Sequence, residues 1–135
     1  MIEFNSVHDF KIENADVISS WLHQVIQEEN KEAGELNYIF CDDEYLHKMN
    51  VHFLDHDTLT DVISFDYTEG VLISGDVFIS TERVTENALE FNVSFTDELH
   101  RVMVHGLLHY CGYKDKTEDD EKLMRVKENY YLEKR

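Results

Sequence analysis

The chain has 135 residues, 29 acidic side chains against 12 basic ones, and a formal net charge of −17. That length is enough for one domain, residues 1–135, with a proper core, and the charge argues against a protein that holds nucleic acid by bulk electrostatics. No apolar run is long enough to cross a membrane, and two widely spaced cysteines, Cys41 and Cys111, without a signal peptide suit reduced thiols in the cytoplasm.

In chain order, residues 2–4 begin a strand. Asn14 or Asp16 caps a helix to about residue 31, with Val17, Ile18, Trp21, Leu22, Val25 and Ile26 on one face, and Gly34 follows as a stop signal. Residues 36–41 alternate as a strand, and Asp42 caps a helix to about residue 53. After the polar turn at residues 55–57 come strands at residues 61–67 and 71–80, parted by Glu69-Gly70, the second interrupted by Gly75. The rest reads as helix: residues 81–91, then about 95–111, then about 117 to the end. Mixed strands and helices followed by helices alone predict an α+β domain, about four strands in one small mixed sheet packed with about five helices.

The densest chemistry lies in residues 105–115. His105 and His109 are one helical turn apart on one face. Gly112 can take φ > 0, end the helix and turn the chain so that Asp115 approaches both imidazoles. Two His, one carboxylate and an open position form the pattern of a catalytic zinc site, and the same donors suit nickel or iron. The flanking Val102-Met103-Val104 and Leu107-Leu108 require a largely buried helix, and buried histidines need partners. Cys111 is either a further ligand or core, and its position two residues past His109 turns it to another face. His100, five residues before His105, is also rotated off the ligand face, and His8, His23, His47 and His52 belong to no motif.

A glutamate directly after the first histidine, the base of familiar zinc proteases, is replaced by Gly106. The general base is therefore open between His56 and the carboxylates of residues 55–61, each of which also reads as a solvated loop residue. Asp61 and Ser64 either contact a bound strand of substrate or serve as a strand turn and a core-facing hydroxyl. Charge is uneven: from Lys114 onward seven basic residues balance seven acidic ones, leaving five basic and 22 acidic in the first 113 residues. Lys114 and Lys116 sit beside the histidine motif and are candidate substrate-binding residues, though a solvated helix face also explains such lysines.

The chain resembles the YbeY family of metal-dependent endoribonucleases, the ribosomal RNA maturation factors. His105, Gly106, Leu108, His109, Gly112 and Tyr113 are similar to that family's His-Gly-x-Leu-His-x-x-Gly-Tyr-Asp-His motif. Upstream, Asn50, Phe53, Asp57, Thr60, Asp61, Val62, Ser64 and Phe65 resemble a second segment, and residues 75–79 resemble its Gly-Asp-Ile-x-Ile strand. The chain departs from the pattern at Asp115, which replaces a third histidine, at Lys114 for Asp, Leu54 for Arg, His56 for Lys and Leu59 for Pro. A carboxylate still binds zinc, at about 2.0–2.2 Å, but makes the site one unit less positive.

The resemblance implies a zincin-like metal site and a single-strand-specific endoribonuclease. The substrate would be the 3′ end of 16S ribosomal RNA, in maturation and ribosome quality control, with the small subunit or its proteins as partners and no membrane. One Zn²⁺, or Ni²⁺ or another divalent ion, would sit on His105, His109 and Asp115 and polarise a phosphoryl oxygen or activate water. The alternative is a non-catalytic assembly factor or RNA-binding module with a structural metal.

Overall fold

A computed structural model describes residues 1–54 and 60–135, Leu54 by its backbone only. The elements are β1 (Ile2–Ser6), α1 (Ala15–Glu28), β2 (Glu32–Cys41), α2 (Asp43–Leu54), β3 (Val62–Asp66), β4 (Leu72–Ser80), α3 (Thr81–Phe91), α4 (Phe95–Tyr110) and α5 (Glu118–Leu132). The sheet has the order β1-β2-β4-β3; β1 and β4 run parallel to β2, and β3 runs antiparallel to β4. Among the described residues, four strands in one mixed sheet and five helices make the α+β domain expected from the sequence.

Alternation along the strands sends Leu36, Tyr38, Phe40, Ile73, Val77 and Ile79 to one face, where they bury against Trp21, Leu22 and Val25 of α1 and Met103, Leu107 and Leu108 of α4. The other face carries a smaller cluster, Cys41, Leu46 and Ile63, beneath α2. Each residue on the larger face loses most of its contact with water, worth roughly 1.5–3 kcal/mol per large aliphatic side chain. Polar bonds then fix where α4 lies. The Tyr38 hydroxyl donates to the Met103 carbonyl at 2.9 Å, and the Tyr110 hydroxyl lies 3.0 Å from the Asp76 carbonyl and 3.2 Å from that of Phe65. Ser80, Ser94 and Thr117 cap α3, α4 and α5 by accepting from the third residue onward.

Three local expectations are corrected. Gly34 does not stop α1; that helix ends at Glu28, Asn30 turns the chain at φ 60°, and Gly34 lies inside β2, next to a bulge between Ala33 and Leu36. A Cβ on Gly34 would come 2.3 Å from the Ser74 Oγ, so the glycine serves the close approach of β2 to β4. Val17 is 62% exposed, because the buried stripe of α1 begins at Ile18 and Val17 lies about 100° around the helix from it. Gly75, read as an interruption, sits within the continuous strand β4.

Candidate metal centre and cleft

Helix α4 brings His105 and His109 to one face, one turn apart. Gly112 then adopts φ +106°, a region closed to most L-residues. The Gly112 and Tyr113 amides donate back to the carbonyls of His109 and Leu108, at 3.0 and 3.1 Å. The turn carries Asp115 back over the helix end, where its Oδ2 lies 3.4 Å from the Nε2 of both histidines. One donor atom from each of His105, His109 and Asp115 falls within 4.8 Å of the others.

The hydrogen bonds on the far side of each ring settle which nitrogen faces inward. The His105 Nδ1 is 2.6 Å from a Glu128 carboxylate oxygen, and the His109 Nδ1 is 3.0 Å from the Tyr113 carbonyl. Both partners only accept, so both Nδ1 atoms carry the proton. A neutral ring then presents an unprotonated Nε2. These two Nε2 atoms face each other at 3.0 Å with the Asp115 carboxylate beside them. Two lone pairs and an anion at that separation repel unless something positive lies among them. The donor set therefore fits a divalent cation, with nitrogen and oxygen ligands of the kinds zinc takes.

Glu128 is a residue of the candidate site that sequence reasoning missed. It is 4% exposed, and it also accepts from Arg101 at 2.9 Å, with Arg125 at 3.6 Å. Burial works against its charge, but the bonds from His105 and Arg101 outweigh it and hold the carboxyl below its ordinary pKa. For His105, burial opposes the charged form, yet Glu128, Asp115 and Asp61 together raise its proton affinity. The signal lay in helix spacing: Glu128 is four residues after Met124 and three before Tyr131, both buried, so it lies on the apolar stripe of α5.

A cleft of about 650 Å³ opens beside this cluster, lined on one wall by Asp61 and Val62 and on another by Glu98, Arg101 and His105 of α4. Asp61 is thus brought to the site. It accepts from the Asn87 carboxamide at 3.3 Å, and burial raises its carboxyl above the usual range despite backbone hydrogen bonds and His105. Ser64, two residues along β3, is exposed, beyond the cleft lining, and its hydroxyl interacts with that of Tyr110. Lys114 lines a separate groove with Glu29 and Cys111, and Lys116 is exposed outside the cleft; the cleft's cations are Arg101, Lys122 and Arg125. His56 lies outside the described residues. Cys111 is not part of the ligand cluster and packs against the core. Gly106 is buried with its Cα toward Val77 of β4, so a glutamate there would point into the sheet rather than at the metal cluster.

A mixed sheet backed by a helix bearing two inward imidazoles and a returning carboxylate defines an α+β domain with a group of side chains that could hold a metal ion. The profile of the Endoribonuclease YbeY family matches residues 2–135. Proteins named Endoribonuclease YbeY from Flavobacterium johnsoniae and Flavobacterium psychrophilum are 61% and 58% identical, over 96% and 98% of this chain and 93% and 94% of their own lengths. The solution structure of a Thermotoga maritima protein superposes with a TM-score of 0.72 at 27% identity, covering 98% of this chain and 87% of that one. The chain belongs to the YbeY endoribonuclease family.

Proposed function

We propose that this protein is a metal-dependent endoribonuclease that cuts single-stranded ribosomal RNA, in maturation of the 16S 3′ end and in ribosome quality control. The names of its relatives support the endoribonuclease reading. The observation that carries the metal is the pair of Nε2 atoms facing each other across 3.0 Å beside Asp115, with both Nδ1 atoms engaged by acceptors. His105, His109 and Asp115 would hold the ion, zinc by preference, with nickel or another divalent ion compatible with the same donors. When bound, such an ion supplies Lewis acidity toward a phosphoryl oxygen and lowers the pKa of water.

The chain's own groups do the remaining work. Glu128 and the Tyr113 carbonyl orient the two imidazoles and fix their tautomers. Arg101, Arg125 and Lys122 line the cleft and offer donors to phosphate oxygens. Asp61, in the same cleft with a raised proton affinity, would take or return a proton, and Ser64, exposed on β3 outside the cleft lining, would contact only a strand running along β3. Lys114 and Lys116 would reach only the RNA that extends past the turn. Among the described residues, no helix is long and apolar enough to cross a membrane. With a net charge of −17, the protein binds naked RNA weakly at physiological salt and gains affinity on a small-subunit particle or beside its basic proteins.

The test pairs metal content with cleavage of precursor ribosomal RNA, in wild type and His109→Ala. The variant loses both the metal and cleavage. Cleavage at the wild-type rate without metal overturns the assignment, and a metal-loaded wild type that cuts no RNA makes the metal structural and the protein an assembly factor.

A further inference from the structure

The cleft holds a carboxylate that the histidine cluster does not use. Glu98 lines the cleft from α4, is 5% exposed, and among the described residues its side chain makes no hydrogen bond and no ion pair. A carboxylate on a largely buried side chain, left without a donor, is costly. Burial raises its pKa and the negative charge of Asp61 raises it further, with Arg101 and Arg125 opposing only in part. Asp61 faces it from the start of β3, and the Asn87 carboxamide, which donates to Asp61, leaves its own oxygen available. Three residues with hard oxygen donors thus line the same cleft, two of them in direct contact with each other.

The charge of the whole cleft gives the same direction. Six carboxylates and three cationic side chains line it. A divalent ion on His105, His109 and Asp115 offsets two of the three excess negative charges, and the cleft would still repel a phosphodiester. We propose that Asp61 and Glu98, with the Asn87 carboxamide oxygen, form a second divalent-cation site, for a hard ion such as Mg²⁺ or Mn²⁺, in which Asp61 is held ionised as a ligand in place of the proton-carrying role. Oxygen donors without imidazole suit these ions, which keep several of their waters when few protein ligands are present. The second ion turns the cleft net positive and pairs the buried Glu98. Its purpose, admitting RNA phosphate, rests on the ribonuclease reading; its existence does not.

The experiment titrates Mn²⁺ into the full-length, zinc-loaded protein and follows the free ion by electron paramagnetic resonance, with zinc content measured in parallel. One Mn²⁺ binds per chain beyond the zinc, Mg²⁺ competes for it, and Glu98→Gln weakens it at least about tenfold with zinc retained. Asp61→Asn gives the same loss and stands in if Glu98→Gln fails to fold by circular dichroism. In His109→Ala, Mn²⁺ binding persists although zinc is gone. The proposal is overturned if the zinc-loaded protein binds no Mn²⁺ up to about 10 mM, above the roughly millimolar range of the weakest protein sites. It is equally overturned if a folded Glu98→Gln or Asp61→Asn variant binds as wild type does, or if Mn²⁺ leaves together with zinc in His109→Ala. No outcome reads RNA cleavage, so failure here leaves the ribonuclease reading standing, and an inactive protein that binds Mn²⁺ leaves this one standing.

Discussion

The two sides of α4 dress the same chemical group in opposite ways. On the cleft side, His105 donates to the Glu128 carboxylate at 2.6 Å, and its proton affinity is raised against the effect of burial. On the α1 side, His100 packs its ring 5.7 Å from that of Trp21 and accepts from the Arg135 guanidinium at 2.8 Å. Burial and then the Arg135 charge push its pKa down to about 4, with Asp97 opposing only in part. One imidazole is kept ready for a cation, and the other is kept neutral as a packing group. Five residues of one helix separate them, so the difference comes entirely from what α1, α5 and the C-terminal residues place against each face.

The largest effect expected on this contrast comes from removing a ligand. His109→Ala should abolish stoichiometric metal binding, measured by metal analysis after dialysis, while His100→Ala should leave it at wild-type level. Asp115→His should keep the metal, since an imidazole can replace the carboxylate at the returning turn; loss of metal there would mean that the turn accommodates only the shorter side chain. Next comes Glu128→Gln, which retains a hydrogen-bonding group but removes the charge. Metal affinity should fall roughly 10- to 100-fold, the range found when a partner that orients a ligating histidine is altered. An unchanged affinity would show that the Glu128 bond is a packing contact and not an orienting one.

His100 sharpens the other half of the contrast through pH. Its folded pKa of about 4 lies below the ordinary 6.5, so the unfolded chain binds the proton first. Its contribution is complete above pH 6.5 and is lost as pH falls toward 4. Between pH 7 and pH 5 that loss is about 2 kcal/mol of unfolding free energy. Urea titrations at the two pH values should show His100→Gln losing about that much less than wild type, whatever its stability at pH 7. Equal losses would mean that His100 titrates normally and that Arg135 does not hold it neutral.

How much of this was legible beforehand follows from the range of each interaction. Helix α3 was read at its observed bounds, Thr81–Phe91, and the motif from His105 to Asp115 was read as a helix, a glycine turn and a returning carboxylate. Those features are local: caps, periodicity and one positive φ. Gly34 was misread because a glycine after a helix looks like a stop, whereas its role depends on Ser74, forty residues away. Glu128 escaped because its partners lie on another helix, and only the packing of α4 against α5 makes it part of the site. Lys114 and Lys116 are near the histidine motif only in sequence. The cleft instead takes Arg101, one turn before His105 on α4, and Lys122 and Arg125 from α5, while Lys114 faces a different groove. Asp61, identified from its place at the start of a strand, does reach the cleft, because β3 lies at the sheet edge beside α4.

The smallest effect expected is also the one that separates backbone from side chain in holding His109. The Tyr113 hydroxyl donates to Glu29 at 2.7 Å and Lys127 lies 5.6 Å over its ring, so the turn is clasped to the end of α1 and to α5. The Tyr131 hydroxyl bonds the same Glu29 carboxylate, and Lys127 pairs with it at 3.5 Å. His109, however, is bonded to the Tyr113 carbonyl, which every residue possesses. Tyr113→Phe removes one of three partners of Glu29 and leaves the carbonyl in place. It should therefore cost about 1 kcal/mol of stability, by denaturant titration, and change metal affinity by less than roughly threefold, well short of the range set by an orienting partner. A tenfold loss of metal would mean that the carbonyl alone does not hold the ring, and that the clasp on Glu29 sets the turn's position as firmly as Glu128 sets His105.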